Sequence, residues 1–133
     1  DAPYEYQDHF KLILNAKNMH LISMTAPTTP VNRLEQISGS ATGFLYHVAE
    51  NGLTGVTLNL ANLERKMAQI KPIFQIPVAI GFGIKNESHV KALANKADLI
   101  VIGSALVDTF FNKGVNATLE KVRAFSQVLK QTQ

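Results

Sequence analysis

The chain has 133 residues, 46% hydrophobic and 17% charged, a balance that makes one ordered globular domain with a real core. Thirteen basic against ten acidic residues leave a net charge of +3, spread thinly, with Arg65-Lys66 the closest pair and no basic run interleaved with aromatics; nucleic-acid binding gains no support, and a small anionic ligand stays open. Cysteine is absent, excluding a disulfide framework and a thiolate metal site; no apolar run reaches membrane-spanning length and no signal peptide opens the chain, so a soluble cytoplasmic domain is the expectation.

Asp1-Ala2-Pro3 leads without a Met straight into a helical pattern over Glu5 to Lys17, as if a strand-to-helix loop had lost its strand; this reads as a piece of something longer. An apolar strand follows over Leu21 to Ala26 and leaves through the segment TAPTTP, where Thr29 caps a helix over Pro30 to Ser38 with Pro30 in its first turn. The next strand is Phe44 to Ala49. Behind it the stretch NGLTG, Asn51 to Gly55, makes a flexible loop that is either a lid or a solvated turn. A helix over Leu60 to Lys71 leads to a strand over Ile76 to Gly81, which breaks at Gly81-Phe82-Gly83. Asn86 caps a helix over Glu87 to Asn95. The last strand, Ala97 to Ile102, ends at Gly103-Ser104 and gives way to a short helix over Ala105 to Asn112. Gly114 stops that helix, and Asn116 caps a final one over Ala117 to Gln131.

The four strands are nearly all apolar rather than alternating, which suits a parallel sheet, and parallel strands need helical right-handed crossovers. Residues 1–133 therefore form a single α/β unit of four βα repeats. Two architectures fit: a four-stranded doubly wound sheet, or half of an eight-fold barrel. A complete (β/α)8 TIM barrel takes about 250 residues, so the chain is expected to carry roughly its second half.

Both architectures bind ligands at the carboxyl ends of the strands. Gly83 and Gly103 lie at such ends, where a missing Cβ lets backbone N–H groups approach a ligand. Ser104 opens the short extra helix, whose first N–H groups and dipole favour an anion. The two glycine breaks then become two walls of one phosphate cradle. The plainer reading is that glycines simply end parallel strands. His47 neighbours Tyr46 in a strand, so it faces the covering helices if Tyr46 faces the barrel interior, and it is expected to be a packed histidine. His9, His20 and His89 have no metal-ligand spacing, and no metal site is expected.

Taken together and in this order, TAPTTP, GFLYHVAENGLTG, IPVAIGFGI and ADLIVIGSALV resemble the α chain of tryptophan synthase over essentially the whole chain. The resemblance implies the C-terminal half of that family's TIM barrel. It also implies cofactor-free, retro-aldol cleavage of indole-3-glycerol phosphate to indole and glyceraldehyde 3-phosphate, a carbon–carbon lyase reaction of tryptophan biosynthesis. The partner it implies is a pyridoxal-phosphate β chain that receives the indole. Position by position, Gly55, Gly83 and Gly103 resemble the phosphate-binding glycines, with Ser104 adding its N–H and hydroxyl. Phe82 resembles the aromatic that packs on the indole ring, Tyr46 a tyrosine near the reacting centre, and Thr54 the lid threonine. Asp1-Ala2-Pro3 and the TAPTTP loop resemble segments that face the β chain. Leu53 replaces the usual Val of the lid, and Glu50 stands where some members carry a basic residue. The family's catalytic glutamate and aspartate belong to the first half of the barrel, so no catalytic acid or base is expected in this chain and alone it should be inactive. Other readings are a different phosphate-binding barrel enzyme, against which TAPTTP with GLTG argues, and a non-catalytic half-barrel that binds phosphate or a partner chain.

Overall fold

The computed structural model describes residues 4–49, 59–81 and 83–132. A 3-10 turn at Tyr4–Tyr6 precedes helix α1 (Gln7–Asn15); then come β1 (Ser23–Thr25), α2 (Val31–Ser38), β2 (Leu45–Val48), α3 (Leu60–Ile70), β3 (Val78–Gly81), α4 (Glu87–Leu93), β4 (Leu99–Val101) and α5 (Ser104–Gln131). The strands make one parallel sheet in the order β1-β2-β3-β4.

That order decides the architecture. A doubly wound sheet reverses its strand order at a switch point, whereas here each strand pairs with the next in sequence. The two faces of the sheet also differ. In register across it, Thr25, His47 and Ile80 share one face with Leu45 and Val78, and all five are buried. Met24, Tyr46, Ala79 and Leu99 share the other, where Met24 is 42% exposed, Leu99 46% and, one step on, Val101 40%. Helices cover one face and leave the other open, as in a section of a (β/α)8 barrel seen from its axis.

Helices α2 to α5 turn apolar residues to that covered face: Leu34 and Ile37 from α2, Leu63, Met67 and Ile70 from α3, Val90 and Leu93 from α4, Phe125 from α5. The spacing of three and four residues is what a one-sided helix needs. With Leu45, Val78 and Ile80 they form a single core. Asn59 and Asn86 cap α3 and α4, each Oδ1 accepting from the backbone N–H three residues on at 3.0 Å. At the amino ends of the strands, Val78 N donates to Asp98 Oδ2 (2.8 Å) and Asp98 N to the Val78 carbonyl (3.0 Å), which pins β4 to β3.

Three expectations are corrected. Thr29 does not cap α2: its Oγ1 accepts from Ala26 N at 2.9 Å, closing a turn within TAPTTP, and Pro30 is the capping residue. The two last helices are one element broken only at Gly114 (φ 79°, ψ −176°), and Asn116 lies inside the second segment rather than capping it. Thr118 Oγ1 there donates to the Gly114 carbonyl at 3.0 Å. The strands are shorter than the apolar runs, at both ends for β1, β2 and β4 and at the start for β3, which ends at Gly81 as expected.

Candidate functional site

The carboxyl ends of β2, β3 and β4 converge on the open face. Tyr46 of β2 points to that face, and its ring lies across β3: a Cβ built on Gly81 would fall 1.9 Å from the Tyr46 Oη and 2.4 Å from Cζ. Gly81 is therefore a glycine because the tyrosine occupies the volume of its side chain. Gly81 and Val101 are register partners, so Gly83 and Gly103 stand two residues beyond a paired position on adjacent strands. Tyr46, Gly83, Gly103 and Ser104 are thus brought to one rim. Phe82, Thr54, Gly55, the lid residues Glu50 and Leu53, and Asp1-Ala2-Pro3 lie outside the described residues.

The two rim glycines differ physically. Gly83 has φ 77°, a left-handed backbone that asks for glycine whatever binds nearby. Gly103 has φ −108°, open to any residue, and a Cβ built there meets nothing within 4 Å. Gly103 is the residue before α5, and its carbonyl accepts from Leu106 N (2.9 Å) and Val107 N (3.1 Å). Ahead of those two bonds, the N–H groups of Ser104 and Ala105 have no acceptor within the helix and lie at the positive end of its dipole.

Beside Ser104 opens a cavity of about 290 Å³ lined also by Lys85, Asp108, Thr109, Lys113 and Lys121. Lys121 Nζ donates to Thr109 Oγ1 at 3.3 Å, which holds the second segment of α5 back against the first. The three lysines were missed in the sequence. Lys85 directly follows GFGI, but Lys113 and Lys121 straddle the break at Gly114 and only the bend carries both to Ser104.

The described carboxylates give this rim little acid–base chemistry. Glu5 pairs with Arg33, Glu64 with Lys96, and Asp98 is committed to the far end of the sheet. Asp108 lines the cavity on the α5 side. Among the described residues no group of three or more His, Asp or Glu side chains could hold a metal ion, and no helix is long and apolar enough to cross a membrane. His47 sits where alternation with Tyr46 puts it, buried on the helix side, with Nδ1 3.0 Å from Thr25 Oγ1. Burial, helped by the Lys66 charge, pushes its pKa down to about 4, so the ring is neutral at ordinary pH.

The profile of the family described as tryptophan synthase alpha chain matches residues 1–133. The chain belongs to that family. The tryptophan synthase alpha chain of Acinetobacter baumannii is 32% identical over 98% of this chain and 51% of its own length. That of Chloroflexus aurantiacus is 39% identical over 81% of this chain and 41% of its own. Among solved structures, the tryptophan synthase α2β2 complex of Pyrococcus furiosus contains a chain that superposes with a TM-score of 0.80 at 31% identity, covering 98% of this chain and 53% of that one. As a member of the tryptophan synthase alpha-chain family this chain is a TIM-barrel segment, and it spans about half the length of the curated relatives it matches.

Proposed function

We propose that the intact protein cleaves indole-3-glycerol phosphate to indole and glyceraldehyde 3-phosphate, and that this chain supplies the phosphate site and the lid. The observation that carries the reading is Gly103. Its φ is one that any residue adopts and no neighbour within 4 Å crowds a Cβ, so what would use the space is a ligand at the start of α5. The backbone N–H groups of Ser104 and Ala105, the Ser104 hydroxyl and the lysines at 85, 113 and 121 surround that space with donors and positive charge. Gly83 and Gly55 complete the cradle, and Phe82 with Tyr46 holds the indole and the reacting carbon. Thr54 latches the lid over them, which excludes water and completes the site. The general acid and base come from the part of the barrel outside this chain. The relatives assembled as an α2β2 complex support a β chain as partner, which takes the indole.

The test is Gly103→Val in the intact protein, with glycerol phosphate binding read by calorimetry. A side chain at this position finds room in the protein but fills the anion's place. The expected result is a folded protein whose binding is lost; wild-type affinity would remove the cradle from the account.

A further inference from the structure

A second polar constellation lies on the helix-covered face of the sheet, two strands from β4 and turned away from Tyr46. Its centre is His47, fully buried and in register beside Thr25. A neutral imidazole has one N–H and one lone pair. The contact with Thr25 Oγ1 at 3.0 Å uses Nδ1, and Nε2 is buried without a hydrogen-bond partner among the described residues. Native interiors rarely leave such an atom unpaired, and one that is unpaired asks for a missing occupant.

His47 lines a cavity of about 370 Å³, together with Pro27 of the β1–α2 loop and, on α3, Asn62, Arg65, Lys66 and Gln69. That volume lies at the small end of ligand pockets, roughly 300–1,000 Å³. The described lining carries two cations and side-chain amides but no carboxylate. Lys66 donates to the Thr29 carbonyl, which fixes the loop wall against α3 and leaves two ammonium hydrogens free to point elsewhere. Arg65 Nη2 donates to Asn62 Oδ1, using one of its five N–H groups. Partial burial of Lys66 disfavours its charge, a cost that a bound anion would offset.

We propose that this cavity binds a small metabolite through a carboxylate or phosphate group, with Lys66 and Arg65 supplying charge and the His47 Nε2–H a buried donor. In this arrangement the Thr25 hydroxyl donates to Nδ1, which leaves the ring proton on Nε2 to face the anion. The site is independent of the cradle at Gly103, since the two cavities share no lining residue.

The test uses the intact protein with isotope-labelled histidine, its His47 signals assigned by their loss in His47→Gln. Inorganic phosphate and succinate are titrated separately near neutral pH. The free protein is expected to show the Nε2–H tautomer, and one of the two anions to move the His47 signals saturably, which tells phosphate from carboxylate. Lys66→Met, removing one charge-assisted hydrogen bond, is expected to weaken that response by about tenfold. Ser104→Ala, at the other site, should leave it unchanged. An Nδ1–H tautomer, no response to either anion, a response that never saturates, or one that survives Lys66→Met would each overturn the proposal. Loss of the response in Ser104→Ala would assign the anion to the end of β4 instead.

Discussion

Replacing Gly81 by Ala tests the packing that sets the site. The new Cβ would stand 1.9 Å from Tyr46 Oη, 2.4 Å from Cζ and 3.0 Å from Cε2, all far inside van der Waals contact. The tyrosine is the free end of a side chain on an open face, so it yields before the strand does. Overpacking of this kind costs about 1–3 kcal/mol. Urea unfolding of the intact protein reads it: with a slope of about 2 kcal/mol per M, a loss of 2 kcal/mol lowers the midpoint by about 1 M. The geometry also fixes a double-mutant pattern. Tyr46→Phe removes Oη but keeps Cζ at 2.4 Å, so it rescues Gly81→Ala only in part, whereas Tyr46→Ala removes the whole obstacle. The coupling between Gly81→Ala and Tyr46→Ala should therefore be about 1–3 kcal/mol, in the direction of rescue. On the proposed role of Tyr46 beside the reacting carbon, displacing its ring should lower kcat/KM in Gly81→Ala even where the protein stays folded. Additive stabilities across the Gly81 and Tyr46 pair would refute the contact and its role.

Three further outcomes follow from the same structure. His47 has a folded pKa near 4 against an ordinary 6.5, so the unfolded chain binds a proton that the folded chain refuses: its contribution is whole above about pH 6.5 and is lost as pH falls towards 4. At 1.36 kcal/mol per unit that is about 3 kcal/mol, seen as a steeper loss of stability in wild type than in His47→Gln between those pH values; parallel curves would contradict the burial. Thr54→Val in the intact protein should lower kcat far more than it raises KM, and unchanged turnover at saturating substrate would exclude the latch. The 133-residue chain made alone should show no indole release and should self-associate in light scattering at micromolar concentration, because Leu99 and Val101 on the open face and the free edges of β1 and β4 invite pairing. A stable monomer would argue against the open-barrel geometry.

The periodicities carried much of this fold. The runs around Leu45 to Val48 and Val78 to Gly81 do not alternate apolar with polar, His47 apart, because Tyr46 and Ala79 face the open side of the sheet while Leu45 and Val78 face helices. Asn86 is legible as a cap from its place directly before the helical run, and its Oδ1 accepts from His89 N while also accepting from the Ser88 hydroxyl. Thr29 is not, since a threonine hydroxyl can close a local turn as readily as it caps a helix, and the sequence does not say which. Strand ends were overrun for a related reason: Leu21, Ile22 and Ala26 are apolar, but only Ser23 to Thr25 find partners on β2. In the candidate site, Gly83 and Gly103 were visible as punctuation at strand ends. The role of Gly81 was hidden, because it rests on a register that places Tyr46, 35 positions earlier, over it. The cavity lined by His47 and Lys66 likewise joins residues of β2 and α3 that no local pattern links.

The strictly sequential strand order has a kinetic consequence. Every strand pairs with its neighbour in the chain, at separations of 22 residues for Ser23 and Leu45, 33 for Leu45 and Val78, and 20 for Ala79 and Leu99. No pairing has to wait for a segment more than one repeat away, so folding can begin at any repeat and spread outward. Loop-closure entropy rises with length, by about 0.6 kcal/mol per doubling, so the short β3–α4–β4 repeat carries the smallest closure cost. The reciprocal bonds between Val78 and Asp98 then act as its clasp, making this repeat the natural nucleus onto which β2 docks, with β1 following.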